Sequence, residues 1–307
     1  MKVVRDLSEL KLLDKSVVTT GTFDGVHLGH RAVLQTVLDR AKEIGGKSLL
    51  LTFHPHPRVV LQQDTELKLL TTLEEKIALL QSIGLDYLVI LPFTKAFSRT
   101  TSLDFVRDLL VKQLKTKVLV IGYDHHFGRN REGSFEHLQE FGPLYGFDVE
   151  EIKAQDVNEI KVSSTKIRAA LEEGWVEKAN KLLGHPYRVT GKVVRGRQVG
   201  SKMGFPTANI EVEDPFKLIP LKGVYAVYAF LEGMRYKAML NIGNRPTIEA
   251  AGEVTIEVHV LEFQGDLYGK ELAIDLIARL RAEQNFSDQS ALKMQLLKDK
   301  EQSLTIL

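Results

Sequence analysis

The stretch VVTTGTFDGVHLGHRAVLQTVLDRAKEIGGKSLLLTFHPHP, residues 17–57, decides the fold of the N-terminal half. It opens with a short β-branched run, residues 17–20. A helical stripe follows from about His30, with Leu34, Val37, Leu38 and Ala41 on one face and Gly45-Gly46 as the stop. The apolar run SLLLTF, residues 48–53, reads as a second strand. Strand, helix, strand within some forty residues is a βαβ unit. The pattern then repeats. Thr72 and Glu75 form a capping-box spacing before a helix that ends at Gly84. Residues 86–91 and 117–121 read as strands, with a helix near residues 102–114 between them. Such alternation predicts a parallel sheet covered by helices on both faces.

After Gly184-His185-Pro186 the helical period stops. Residues 191–195, 224–231, 236–242, 254–263 and 271–280 are strand-like, with turns at Glu232-Gly233 and Gln264-Gly265. Closely spaced strands with short turns predict a small antiparallel β-barrel. One C-terminal helix, starting near Ser287 as N-cap and carrying Leu292 and Leu296, closes the chain. The expected domains are therefore residues 1–184 and 185–307. The length of 307 residues suits two domains.

Composition excludes several function classes. The chain is 44% hydrophobic and 26% charged, as ordinary globular proteins are. Lys plus Arg total 41 against 40 for Asp plus Glu, a net charge of +1. That balance offers no field for nucleic acid or an anionic membrane, so any phosphate recognition is local. There is no cysteine, which excludes disulfides and thiolate metal sites and permits a reducing compartment. The charged start MKVVRDLSELKLLDK lacks a signal-peptide core, and no apolar run reaches membrane-span length. A cytoplasmic enzyme is expected.

In open α/β sheets, ligands bind beyond the carboxyl ends of the strands. The unusual residues of the first half fall there: GTFDGVHLGH at residues 21–30, HPHP at 54–57 and GYDHHFG at 122–128. Gly21 and Gly25 permit close backbone approach to a ligand, and the turn feeds a helix N-terminus suited to phosphate. His27 and His30 sit at that turn, where donors to phosphate oxygens are useful and little packing is expected. VSSTKIR, residues 162–168, places hydroxyls at another helix start, with Arg168 one turn after Ser164. The residues alone leave rivals open. Ser164 or Thr165 also suits a plain N-cap, and the histidines also suit a metal.

Together these motifs resemble the nucleotidyltransferase superfamily in the form found in bacterial FAD synthetases. GTFDGVHLGH carries its HxGH signature, and TFHPHP, GYDHHFG and VSSTKIR follow in the family's order. The resemblance implies a Rossmann-like domain in which His27 and His30 stabilise the triphosphate during attack on the α-phosphorus. It implies that Ser163, Ser164, Thr165 and Arg168 hold phosphates. Gly21, Phe23, Asp24 and Gly25 match nucleotide-binding positions, and His56 and Asp124 match nucleotide- and flavin-site positions. His125 stands where the family usually has Phe. The implied reaction is attack of the FMN phosphate on ATP, with pyrophosphate leaving and Mg²⁺ on the phosphates.

The second half has no GxxxxGK[ST] cradle. It offers GKVVRGRQVGSKMGFPTANI, residues 191–210, where Gly196, Gly200 and Gly204 suit a loop around phosphates and Arg195, Arg197 and Lys202 add charge. A glycine-rich surface hairpin is the bland rival. Thr207 and Asn209, two apart on an extended segment, face one way and offer oxygens of the kind Mg²⁺ takes. In VTIEVHVLEF, residues 254–263, Glu257 belongs to the polar set, which faces away from the core or into a barrel mouth; a solvated surface Glu is equally compatible.

GFPTANI, GVYA, NIGNRPT, EVHVLEFQGDLYG and RAEQNF resemble the ordered motifs of riboflavin kinase, a small barrel. The resemblance implies Mg²⁺ on Thr207 and Asn209, nucleotide at residues 196–204 including Lys202, and Glu257 as the base on the riboflavin 5′-hydroxyl. It places Arg281, Glu283 and Phe286 on the flavin side. The expected ligands are riboflavin, FMN, FAD, ATP, ADP and pyrophosphate. The rival enzymatic reading is a nucleotidyltransferase for another phosphorylated metabolite, with the barrel as a flavin-binding regulatory module.

Overall fold

The computed structural model describes residues 1–10, 13–61, 67–122, 127–129, 133–152, 162–195, 204–244 and 254–307. These divide into two compact units. The first is residues 1–67 and 73–163; the second is residues 68–72 and 164–307.

The first unit is built on six parallel strands: β1 (Lys2–Val4), β2 (Ser16–Thr20), β3 (Lys47–His54), β4 (Tyr87–Pro92), β5 (Thr116–Gly122) and β6 (Asp148–Ile152). Their order is β1-β4-β3-β2-β5-β6. Alternate side chains of each strand point to opposite faces. Val18, Leu49, Leu51, Leu119 and Ile121 thus join one apolar layer, and Val17, Leu50, Leu88, Val118 and Val120 the other. Helix α1 (Leu28–Ile44) and helix α3 (Leu73–Ile83) supply the second layer, through Val33, Leu34, Val37, Leu73 and Leu80. The short α2 (Pro57–Val60) follows β3. Helix α1 ends where Gly45 takes the left-handed conformation, φ 60°. The helix expected near residues 102–114 starts as α4 (Ser102–Asp104) and continues with π-type bonding over Phe105–Gln113. Helix α5 (Phe135–Tyr145) precedes β6. Strand order reverses direction beside β2, between β3 and β5, so the crevice lies where residues 21–30 leave the sheet.

In the second unit, α6 (Ser164–Glu172) and α7 (Val176–Leu183) precede a closed barrel. Its strands are β7 (Tyr187–Val194), β8 (Ala208–Glu211), β9 (Gly223–Leu231), β10 (Met234–Asn244), β11 (Val254–Val260) and β12 (Glu271–Arg281), in the order β10-β11-β8-β7-β12-β9. The expected turn at Glu232-Gly233 is present, with both residues at positive φ, 51° and 83°, as a two-residue hairpin requires. Helix α7 packs on β7 and β12, and Asn180 bridges them: its amide donates to the Leu276 carbonyl at 2.8 Å and accepts from Tyr187 N–H at 2.7 Å. Helix α8 (Gln289–Ile306) follows β12; its N-cap is Asp288, whose carboxylate accepts from Ala291 N–H. The cap is thus one residue beyond the Ser287 expected from sequence.

Candidate active sites

Residues 21–26 form a turn of unusual backbone. Phe23, Gly25 and Val26 all have positive φ, 48°, 83° and 41°. Two of the three are not glycine, and such strain clusters where a site demands a particular shape. The turn delivers His27 as the N-cap of α1, with its Nδ1 accepting from His30 N–H at 3.3 Å. That bond decides the tautomer. Nδ1 is the acceptor, so in the neutral ring the proton sits on Nε2, which is then a donor. Gly29 has a steric reason. A Cβ there would lie 3.2 Å from His27 Cε1, tighter than ordinary contact. The HxGH spacing therefore joins a capping imidazole, a glycine that makes room for its ring, and a second imidazole one turn on.

The two rings stack at 3.6 Å, and Phe23 lies 4.6 Å from His30. Burial first, then the charges of His27 and Lys76, hold the His30 imidazole well below its ordinary range, so it is neutral at pH 7. Its Nδ1 is shielded from solvent and has no hydrogen-bond partner among the described residues. The expectation of little packing is corrected for His27, which is 6% exposed. Asp24 is buried in the same turn. His56 lies beyond β3 and caps α2, accepting from Arg58 N–H at 3.2 Å. Gly21 is half-buried at the end of β2.

Ser163 closes the first unit, while Ser164, Thr165 and Arg168 belong to the second. Ser164 and Thr165 are the first two residues of α6 itself, and Arg168 Nε donates to the Lys68 carbonyl at 2.7 Å. Asp124, His125, Gly196, Gly200 and Lys202 lie outside the described residues; Gly204 is described, exposed and left-handed at φ 83°.

In the barrel, strand register gathers the second set. Asn209 on β8 pairs with Glu257 on β11, Glu257 with Asn241 on β10, Asn241 with Val224 on β9, and Val224 with Arg281 on β12. Register shifts in β12 bring Arg281 opposite Val224; bulges commonly re-aim a side chain in this way. Thr207, Asn241, Glu257, Arg281, Glu283 and Phe286 line one cavity of about 330 Å³, together with Leu292 and Leu296 of α8. Glu257 faces away from the buried Ile256 and Val258, yet it is half-buried and lines this cavity instead of standing free in solvent.

Thr207 Oγ1 donates to Glu257 Oε2 at 3.2 Å. The hydroxyl keeps its lone pairs as acceptors, and Asn209, the direct strand partner of Glu257, carries an amide oxygen. Such hard oxygen donors suit Mg²⁺. By contrast, no cluster of three or more His, Cys, Asp or Glu side chains able to hold a metal occurs among the described residues. His259 also lines the cavity; its Nδ1–H donates to the Pro206 carbonyl at 2.7 Å, beside Thr207, and burial pushes its pKa down. Asn241 and His259 were given no role from sequence, although NIGNRPT and EVHVLEF contain them.

Arg281 is tied to α8. Its Nε and Nη2 reach both oxygens of Asp299 at 2.7–3.1 Å, and Asp299 is 1% exposed. Gln295 donates to the same carboxylate at 2.8 Å. Glu283 packs on Gly243 so closely that a Cβ there would overlap its carboxylate. Asp299→Ala should loosen α8, the wall that carries Leu292 and Leu296. Breaking a buried pair from one side costs about 3 kcal/mol. The expected outcome is a lower denaturation midpoint and a raised KM for the ligand of this cavity. An unchanged KM would show that the tether does not shape it.

Comparison with known proteins matches both halves. Residues 10–166 match the family model described as FAD synthetase, and residues 183–307 match that described as riboflavin kinase. A bifunctional riboflavin kinase/FMN adenylyltransferase of Escherichia coli K12 is 37% identical over 97% of this chain and 96% of its own. The protein of that name from Listeria monocytogenes is 38% identical over 93% and 90%. A solved Streptococcus pneumoniae structure, described as a macrolide-efflux protein, superimposes with TM-score 0.88 at 28% identity over 98% of both chains.

Proposed function

The chain belongs to the bifunctional riboflavin kinase/FMN adenylyltransferase family, phosphorylating riboflavin to FMN and then converting FMN to FAD with ATP, and we propose that residues 1–184 carry the adenylyl transfer and residues 185–307 the phosphorylation. This is a division of activity; in packing, α6 and α7 go with the barrel. Matching both halves to named enzymes leaves little ground for a barrel that is only regulatory. The efflux description belongs to the pneumococcal protein; no helix among the described residues of this chain is long and apolar enough to cross a membrane.

In the barrel, Glu257 takes the proton of the riboflavin 5′-hydroxyl as it attacks the ATP γ-phosphorus, releasing ADP. The observation that carries this reading is the Thr207–Glu257 contact in the lining of the cavity, with Asn209 the strand partner of Glu257. Thr207 and Asn209 would hold Mg²⁺, which when bound neutralises and orients the ATP phosphates. Glu283 and Phe286 face the flavin, with Arg281 fixed by Asp299.

In the first unit the nucleophile, the FMN phosphate, is already anionic, so alignment and charge stabilisation replace base catalysis. His27 Nε2–H and neutral His30 donate to the triphosphate at the N-terminus of α1, where the dipole favours anions. Gly21, Phe23, Asp24 and Gly25 shape that turn. His56, Asp124, Ser163, Ser164, Thr165 and Arg168 complete the nucleotide site, and Gly196, Gly200, Lys202 and Gly204 that of the kinase. Pyrophosphate leaves. Cytoplasmic residence without nucleic-acid partners is part of the proposal, supported by the cysteine-free composition and the balanced charge.

The direct test is incubation of the full chain with riboflavin, ATP and Mg²⁺, followed by chromatography. FMN should appear first and FAD after it. FMN formation without Mg²⁺, at the same rate, would remove the metal from this account.

A further inference from the structure

One buried cation of the first unit has no part in the chemistry above. Lys76, on α3, is 7% exposed. Its helix neighbours Leu73, Ile77 and Leu80 belong to the apolar layer under the sheet, so packing alone would be served by Leu or Met. Burying an ammonium is unfavourable unless it is hydrogen-bonded and paired. Lys76 Nζ donates at 2.8 Å to the carbonyl of Thr22, the residue before the left-handed Phe23. Burial lowers the lysine's pKa, and the buried Asp24 carboxylate opposes that shift. The charge of Lys76 also reaches His30.

We propose that Lys76 is a positioning residue for adenylyl transfer, fastening from α3 the strained turn that presents His27 and His30 and placing a fixed positive charge at it. The inference rests on the reading of residues 21–30 as the adenylyl-transfer site. A carbonyl gripped by a buried ammonium cannot relax toward solvent, so the turn keeps its unfavourable φ values before substrate arrives. The groups acting on His30 are His27 and Lys76, with Asp24 acting on Lys76. Burial first, then the charges of His27 and Lys76, keep His30 neutral.

The experiment uses the full chain carrying Lys76→Met, which keeps the volume, and Lys76→Gln, which keeps a donor for Thr22 without the charge. Riboflavin phosphorylation on the same molecules is the internal control, because its residues lie in the other unit. Both variants should lower kcat for FAD formation by about ten- to a hundredfold, with smaller changes in KM, as a misplaced site does. Phosphorylation should be unchanged. The His30 titration, followed by NMR and assigned with His30→Asn, should move to higher pH in both variants. If Lys76→Met unfolds the first unit, Lys76→Gln carries the test alone with the same expectations. A wild-type kcat in Lys76→Gln overturns the proposal. So does a slow variant in which His30 titrates as in the wild type, since that would be packing alone. His27→Asn assayed alongside separates the two layers: if it makes FAD normally, the site reading itself fails.

Discussion

Glu257→Gln is expected to lower riboflavin phosphorylation by about 10²–10⁴-fold, the usual contribution of a positioned general base. The substitution is nearly isosteric. The amide oxygen of Gln can still accept from Thr207, and the β10–β11–β8 register that sets its position is made by the backbone. The cavity and its α8 wall should stay intact, so riboflavin affinity should change far less than turnover. Only the capacity to take a proton is lost. FAD formation from supplied FMN should continue at the wild-type rate. The check is initial-rate chromatography of FMN from riboflavin, with flavin binding measured separately by fluorescence. A wild-type phosphorylation rate would mean that Glu257 is not the base.

His27→Asn is expected to lower FAD formation by about 10²–10³-fold, as loss of one preorganised donor does, with riboflavin phosphorylation unaffected. Asn serves this test better than Ala. His27 is the N-cap of α1 and is buried against His30, so Ala would also remove a cap worth about 1 kcal/mol and leave a void. Asn is among the best N-cap residues and can still accept from His30 N–H. What disappears is the Nε2–H that the cap bond orients. Helix content by circular dichroism should match the wild type. If FAD forms at the wild-type rate while α1 stays capped, the imidazole has no role in stabilising the triphosphate.

Much of both candidate sites was legible in the sequence. Glycines, histidines and hydroxyls stood at the ends of apolar runs, and a run's end is a strand's end. The polar alternation of residues 255, 257 and 259 was legible for the same reason. The setting of Glu257 was not: a polar strand residue facing away from the core is solvated unless a distant element covers it, and here it shares a cavity with Leu292 and Leu296 of α8. Lys76 was hidden because a lysine on an amphipathic helix ordinarily points to water. Its burial follows from the turn after β2 lying against α3. Asp299 was hidden likewise, its partner Arg281 lying at the end of β12, where the register shifts.

The sequence by itself determined the two kinds of architecture and the change of period near Gly184, because the pleat repeats every two residues and the helix every 3.6, and both are written locally. It determined which residue types stand at each strand end. Only the tertiary structure decided the order β1-β4-β3-β2-β5-β6 and the closure of the barrel, including the pairing of β12 with β7 and β9. It alone decided that α6 and α7 pack with the barrel and that Asn209, Glu257 and Asn241 form one row. The physical reason is separation along the chain. Local periodicity says which face of an element is apolar, whereas the partner of that face is chosen by competition among all the apolar faces in the molecule, at contour distances no window of sequence spans.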